Sequence, residues 1–166
     1  MVRLIPQEEH SLWNILDDVK DPEIPVISLV DLGVVRKAEI FEDKTQITIT
    51  PTYSGCPAMK VMEEDIRMRL MMEGYKNVEI NTVLSPAWTT DWISEKGKTA
   101  LRAYGIAPPE QATSDKNVLL GHPKQVTCPH CKSRNSIMLS QFGSTPCKAL
   151  YKCNECLEPF DYFKCI

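Results

Sequence analysis

Two Cys-x-x-Cys pairs constrain the last third of this chain more than any other feature. Cys128-Pro129-His130-Cys131 and Cys153-Asn154-Glu155-Cys156 are separated by a run of 21 residues, close to the spacing of a four-thiolate zinc site. Each pair forms a knuckle whose two sulfurs reach one metal. Two knuckles close a tetrahedron at about 2.3 Å per Zn–S bond. The flanking sequence alternates at 124–127, 136–140, 149–152 and 160–164, which predicts a zinc ribbon of short strands over residues 124–166. A module this small cannot bury enough core by itself, so the metal is structural. A redox pair and a rubredoxin-like iron site are the competing readings of the same sulfurs.

The chain has 166 residues, enough for one small domain beside a metal-stapled module. No run of eighteen apolar residues is present, which argues against a membrane span, and Met1–Pro6 is too short for a signal peptide. The expected location is cytoplasmic. In a reducing compartment seven cysteines argue for metal or reactive thiols rather than a disulfide framework. Charge is uneven. Residues 1–121 hold 13 Lys and Arg against 19 Asp and Glu, and residues 122–166 hold 6 against 3. Neither half carries a basic stripe, so no nucleic-acid partner is expected.

Before the ribbon, the order of elements predicts a small α+β domain over residues 1–108, followed by a linker at 109–123 rich in Pro, Gly, Ser and Asp. Leu12, Ile15, Leu16 and Val19 put an apolar face on a helix from Pro6 to Val19, stopped by Pro22 and Pro25. Val34–Phe41 and Gln46–Thr50 read as a hairpin turned at Glu42-Asp43-Lys44. Met59–Glu73 is an amphipathic helix ended by Gly74, its methionines read as core packing. Asn77–Leu84 is a third strand. A further helix is capped by Thr89 or Thr90, has Asp91 in its first turn and ends at Gly105. Trp88 and Trp92 read as core or docking residues. The helices lie against one sheet face, a two-layer arrangement.

The loop Thr50–Pro57 joins the returning strand to the amphipathic helix. Ser54, Gly55 and Pro57 are helix-starting residue types, so Cys56 is expected beside free N–H groups, with a lowered pKa. The alternative is a small packed apolar residue. Upstream, Asp21-Pro22-Glu23-Ile24-Pro25 supplies two carboxylates, which read by themselves as helix-terminating and solvated. One thiolate with two carboxylates could share an Fe or Zn ion, or hold a labile cluster in transit. Such a set makes a poor permanent cage and suits a carrier. Cys147 and Cys165 remain, either packed within the ribbon or forming an accessory thiol site. The Glu-x-x-His pairs of a carboxylate-bridged di-iron centre are absent, as is a Gly-rich phosphate loop.

Asp21-Pro22-Glu23-x-Pro25, Leu32-Gly33-x-Val35 and Ser54-Gly55-Cys56-Pro57 resemble the iron–sulfur assembly domain of SufT-type maturation factors over residues of about 10 to 84. Ser85–Ile93, Tyr104–Pro109, Phe142–Tyr151 and Phe160–Cys165 extend the resemblance to the PaaD family, which belongs to the bacterial phenylacetyl-CoA epoxidase system. That resemblance implies a non-catalytic accessory or maturation protein, with Cys56, Asp21 and Glu23 as a transient Fe or cluster site beside structural zinc. The implied partners are subunits of the phenylacetyl-CoA oxygenase and its reductase. A docking or regulatory component that does no chemistry is the alternative. Which of these partners is bound, and whether the chain is a homodimer, stay open. Phe142, Tyr151, Phe160 and Phe163 are expected to form an apolar docking surface on the ribbon.

Overall fold

The computed structural model describes residues 6–110 and 125–164. The chain divides into two compact units, Met1–Gly97 and Lys98–Ile166. Among the described residues no helix is long and apolar enough to cross a membrane.

In the first unit, α1 spans Pro6–Asp17, β1 Val35–Ile40, β2 Thr45–Ile49, α2 Met59–Met72 and β3 Val78–Thr82. The sheet order is β1-β2-β3, with β1 antiparallel and β3 parallel to β2. The α+β reading holds. Alternation decides which face is buried: Thr45, Ile47 and Ile49 are buried, with Gln46 and Thr48 only partly covered. Leu12 and Leu16 of α1 and Met62, Ile66 and Leu70 of α2 are buried at helical spacing and complete the core. Gly74 ends α2 at φ +89°, with the Tyr75 N–H reaching the Leu70 carbonyl at 3.1 Å, the left-handed C-terminal cap that glycine permits.

α1 stops at Asp17, two residues short of the expected Val19. Asp17 instead takes part in a polar staple. Its carboxylate accepts from Ser28 Oγ and from Lys96 Nζ, both at 2.5 Å, and Lys96 also pairs with Asp31 at 3.0 Å. Hydrogen bonds to Asp17 and Asp31 hold the Lys96 ammonium up to about 12. Gly33 is obligatory nearby: at φ +76°, an added Cβ would lie 2.6 Å from Trp92 Cβ. Trp88 is core, with Nε1 donating to the Leu32 carbonyl at 3.0 Å, and Trp92 carries the Arg36 guanidinium on its ring face at 3.6 Å.

The helix expected from Thr89 or Thr90 begins later. Thr90–Trp92 is a single 3-10 turn, and α3 spans Glu95–Tyr104. Its cap is Ser94, whose Oγ accepts the Gly97 N–H at 2.9 Å while donating to Asp31 at 2.6 Å. Gly105, at φ +91°, closes the helix as expected.

The second unit is a four-stranded sheet in the order β4-β7-β6-β5, with β4 Ile106–Ala107, β5 Ser136–Ser140, β6 Lys148–Cys153 and β7 Pro159–Phe163. β5, β6 and β7 run antiparallel, and β4 adds parallel to β7. Residues 98–108 were expected to end the first domain; they lie in the second unit because β4 bonds to the ribbon's last strand. Of the linker at 109–123, only Pro109 and Glu110 fall among the described residues. Residues 125–127 form no strand; Val126 is tied through both backbone groups to Ser136 Oγ.

The expected aromatic docking surface is corrected. Tyr151, Phe160 and Phe163 are 3%, 4% and 1% exposed, and of the four only Phe142 is open. Tyr151 stacks on Phe160 at 5.9 Å and meets Tyr162 edge-on at 5.7 Å. Ala107, Val126 and Ala149 close the same cluster; Ala107 and Val126 lie outside the three antiparallel ribbon strands and add cover that a bare ribbon lacks. Lys164 Nζ lies over the Phe142 ring at 4.2 Å.

Candidate functional site

The Sγ atoms of Cys128, Cys131, Cys153 and Cys156 all lie within 4.8 Å of one another. Cys128 to Cys156 is 3.8 Å and Cys131 to Cys153 is 3.5 Å. The edge of a tetrahedron of thiolates around zinc is about 3.8 Å, given Zn–S bonds of about 2.3 Å. The sulfurs therefore stand where a four-coordinate metal needs them.

The two knuckles share one backbone design. In each, the first cysteine donates its N–H to the carbonyl five residues on: Cys128 to Ser133 at 2.8 Å, Cys153 to Glu158 at 3.0 Å. In each, the residue after the second cysteine takes a left-handed conformation, Lys132 at φ +66° and Leu157 at φ +65°. Non-glycine residues adopt that region rarely, and its recurrence at matching positions marks a geometry set by the paired sulfurs. The shifts at Cys153 and Cys156 run in opposite directions. N–H donors from Cys156 and Glu155 draw Cys153 down to about 7. The Glu158 N–H favours the Cys156 thiolate too, but desolvation and the three neighbouring sulfurs push it up to about 12. A bound dication removes that conflict, because it stabilises several thiolates at once. His130 is exposed and is not part of the four-sulfur group. Cys147 is buried, 3.1 Å from Thr145 Oγ1, and lies outside the group as well. Cys165 falls outside the described residues.

The second candidate site is the loop before α2. α2 starts at Met59, and its cap, Ala58, makes no side-chain cap bond. Cys56 thus lies three residues ahead of the helix, in a turn where its N–H reaches the Tyr53 carbonyl and its carbonyl accepts from Met59, both at 3.3 Å. The expected lowering of its pKa is reversed. Burial pushes the half-buried thiol up; the Ala58 N–H pulls it down; the Glu23 and Asp21 carboxylates push it up again. Cys56 is therefore mostly a protonated thiol at neutral pH.

The same effect shows that Asp21 and Glu23 act on Cys56 across the fold, a proximity no spacing along the chain reveals. Asp21 is 6% exposed, and its Oδ1 accepts the N–H groups of Glu23 and Ile24, each at 2.8 Å. One of its oxygens closes the acidic loop, so it is neither simply solvated nor wholly a ligand. Asp21, Glu23 and Cys56 do not form a close-packed ligand group of the kind the four cysteines make, among the described residues. At the foot of the loop Thr50 Oγ1 is buried without a hydrogen-bond partner among the described residues.

The carboxylates' influence makes a measurable prediction. Asp21→Asn keeps the Oδ1 acceptor that closes the loop, and Glu23→Gln keeps its size. Each removes a negative charge that disfavours the thiolate. Each is expected to speed alkylation of Cys56 at neutral pH and to shift the pH–rate profile towards lower pH. Equal rates in wild type and both variants would show that the carboxylates do not act on the thiol.

Residues 9–82 match the family model described as iron-sulfur cluster assembly protein, and residues 112–164 match the PaaD zinc beta ribbon domain. The whole chain is 43% identical over 166 residues to a subunit of the Escherichia coli K12 "Putative 1,2-phenylacetyl-CoA epoxidase", covering 98% of it. Over 97 residues, 57% of this chain, it is 35% identical to the Fe-S protein maturation auxiliary factor of Porphyromonas gingivalis and covers 91% of that protein. Among solved structures, a domain of unknown function from Bacillus anthracis matches 56% of this chain and 90% of its own, at 31% identity and a TM-score of 0.53.

Proposed function

We propose, for a chain that belongs to the PaaD family of 1,2-phenylacetyl-CoA epoxidase proteins, a non-catalytic accessory role related to iron–sulfur assembly: helping to install a metal centre in the oxygenase or its reductase. The observation that supports this reading is a half-buried thiol, in the stretch that matches the iron-sulfur cluster assembly model, whose ionisation is disfavoured by burial and by the Glu23 and Asp21 carboxylates. A proton can leave Cys56 when a cation arrives, and the two acidic groups that hold the proton in place also attract that cation. Iron or a cluster is here cargo. A site with one sulfur and an acidic loop already committed to its own backbone binds such cargo weakly enough to release it.

The ribbon has a different task. Four thiolates in tetrahedral spacing fit zinc, and Cys128, Cys131, Cys153 and Cys156 would hold it, supplying structural cross-linking and no chemistry. Acting with the epoxidase is suggested by the relative's name; the oxygenase and reductase subunits as the partners are part of this proposal.

The test compares the iron and acid-labile sulfide content of oxygenase and reductase subunits purified from cells with and without this protein. Depleted centres in otherwise folded subunits support the role. Fully loaded subunits in its absence would leave it a docking component.

A further inference from the structure

The methionines of α2 were expected in the core, and Met62 is there. Three others are not: Met68, Met71 and Met72 are 61%, 61% and 74% exposed, and Val61 is 44% exposed. Val61, Met68 and Met72 recur at i, i+7 and i+11 with Met71 beside them, one stripe opposite the buried Met62–Ile66–Leu70 face. Flexible, polarisable methionines suit a contact surface, and an apolar stripe of this kind marks one.

The charges along the stripe identify its occupant. Glu64 and Arg67 stand on the same flank of α2 and line the stripe beside Met68, Met71 and Met72, leaving an open groove. Both are exposed, and neither makes an ion pair among the described residues, whereas Arg69 is held by Asp18 and Glu73. We propose that this face of α2 binds a second copy of the same chain, the two α2 helices packing antiparallel about a two-fold axis between Asp65 and Ile66.

Helix geometry fixes the consequences. In an antiparallel pair about such an axis a flank of one helix lies beside the same flank of the other. With a rise of about 1.5 Å per residue, Glu64 of one copy comes level with Arg67 of the second, and the reverse pair forms by symmetry. The apolar residues interleave in the same register. Val61 of the second copy falls between Met68 and Met72, within about 3 Å of each along the axis. Two unpaired charges and the apolar stripe are thus satisfied by one register, which makes the face self-complementary. Asp65 lies on the other flank, where its two copies approach each other, so its charge opposes the pairing.

Sedimentation velocity on the full chain over a concentration series tests this. Wild type is expected to associate reversibly to a dimer. Glu64→Arg alone and Arg67→Glu alone, each at an exposed position, place like charges together twice per dimer and should each raise the dissociation constant by about tenfold or more. An equimolar mixture of these two variants should recover association, because each then meets its opposite. Asp65→Asn should tighten it. A wild type that stays monomeric throughout, or a dimer indifferent to both charge reversals, would overturn the proposal; so would a mixture no tighter than its components.

Discussion

Serine in place of Cys128, Cys131, Cys153 or Cys156 is expected to remove one equivalent of zinc and to unfold the second unit, leaving the first folded. The argument rests on size and on coupling. β5, β6 and β7 are five or six residues each, and their buried cluster is small: Ala107, Val126, Ala149, Tyr151 and Phe160 beside two of the cysteines. Cys128 and Cys153 are wholly buried members of that cluster, so metal and core are one structure. Zinc binding to small four-ligand modules is worth about 10–16 kcal/mol near neutral pH, more than a sheet of this size can replace. Without metal, the crowding that pushes up Cys156 leaves a cluster of thiols with no stabilising partner. The first unit has its own core in Leu12, Leu16, Ile47, Ile49, Ile66 and Leu70, none of it dependent on the sulfurs. Elemental analysis with hydrogen exchange resolved along the chain checks this. Protection should vanish across the ribbon strands and across Ile106–Ala107, since β4 pairs with β7, and persist in α2 and β2. Iron with a rubredoxin-type spectrum, or a metal-free protein with a protected ribbon, would contradict it.

Local chemistry was legible in the sequence where it is self-contained. Alternation at Thr45, Ile47 and Ile49 marks a strand because period two needs only the strand itself. Gly74 marks a helix end because a left-handed cap needs only a missing Cβ. The two Cys-x-x-Cys pairs announce a site because the metal, not the fold, dictates their spacing. What stayed hidden depends on residues far along the chain. Ile106 and Ala107 form a strand only because β7 offers an edge, and two residues carry no periodicity. Ser94 caps α3 while held by Asp31, and a reading of local caps prefers the threonines before it. Tyr151, Phe160 and Phe163 are too many aromatics for a bare ribbon, and only the fold shows Ala107 and Val126 closing over the cluster. Met68, Met71 and Met72 share a residue type with Met62, and only the packing of α2 separates the exposed from the buried. For Cys56, residue types gave a helix start and a lowered pKa; the fold places the helix later and two carboxylates nearby.

Cys56→Ala is expected to leave the chain folded and to abolish its support of metal-centre assembly. Cys56 is half-buried and absent from the buried core, and its backbone bonds to Tyr53 and Met59 do not involve sulfur. The stability change should be within about 1 kcal/mol, the range of a partly exposed site that makes no cavity. If cargo is held at this loop, the functional loss should nevertheless be near complete, because the thiol would be its one soft ligand, and two carboxylates alone cannot retain a sulfide-rich cargo. Cys56→Ser discriminates further. It restores size and hydrogen bonding with the Ala58 N–H but not the affinity of sulfur for iron, so rescue by serine would assign the residue to packing. Under the packing reading, activity falls in step with thermal stability across Cys56→Ala, Asp21→Asn and Glu23→Gln. Under the cargo reading, melts stay near wild type while iron and sulfide in the co-purified oxygenase and reductase fall, most for Cys56→Ala and partially for the two carboxylate variants. The carboxylate variants carry opposed effects that make the outcome diagnostic. Removing a negative charge frees the thiolate and speeds alkylation, yet takes away an attraction for the cation. A variant that alkylates faster and matures its target worse therefore separates thiol reactivity from cargo handling. A Cys56→Ala protein that is folded and fully competent would end the thiol-based mechanism.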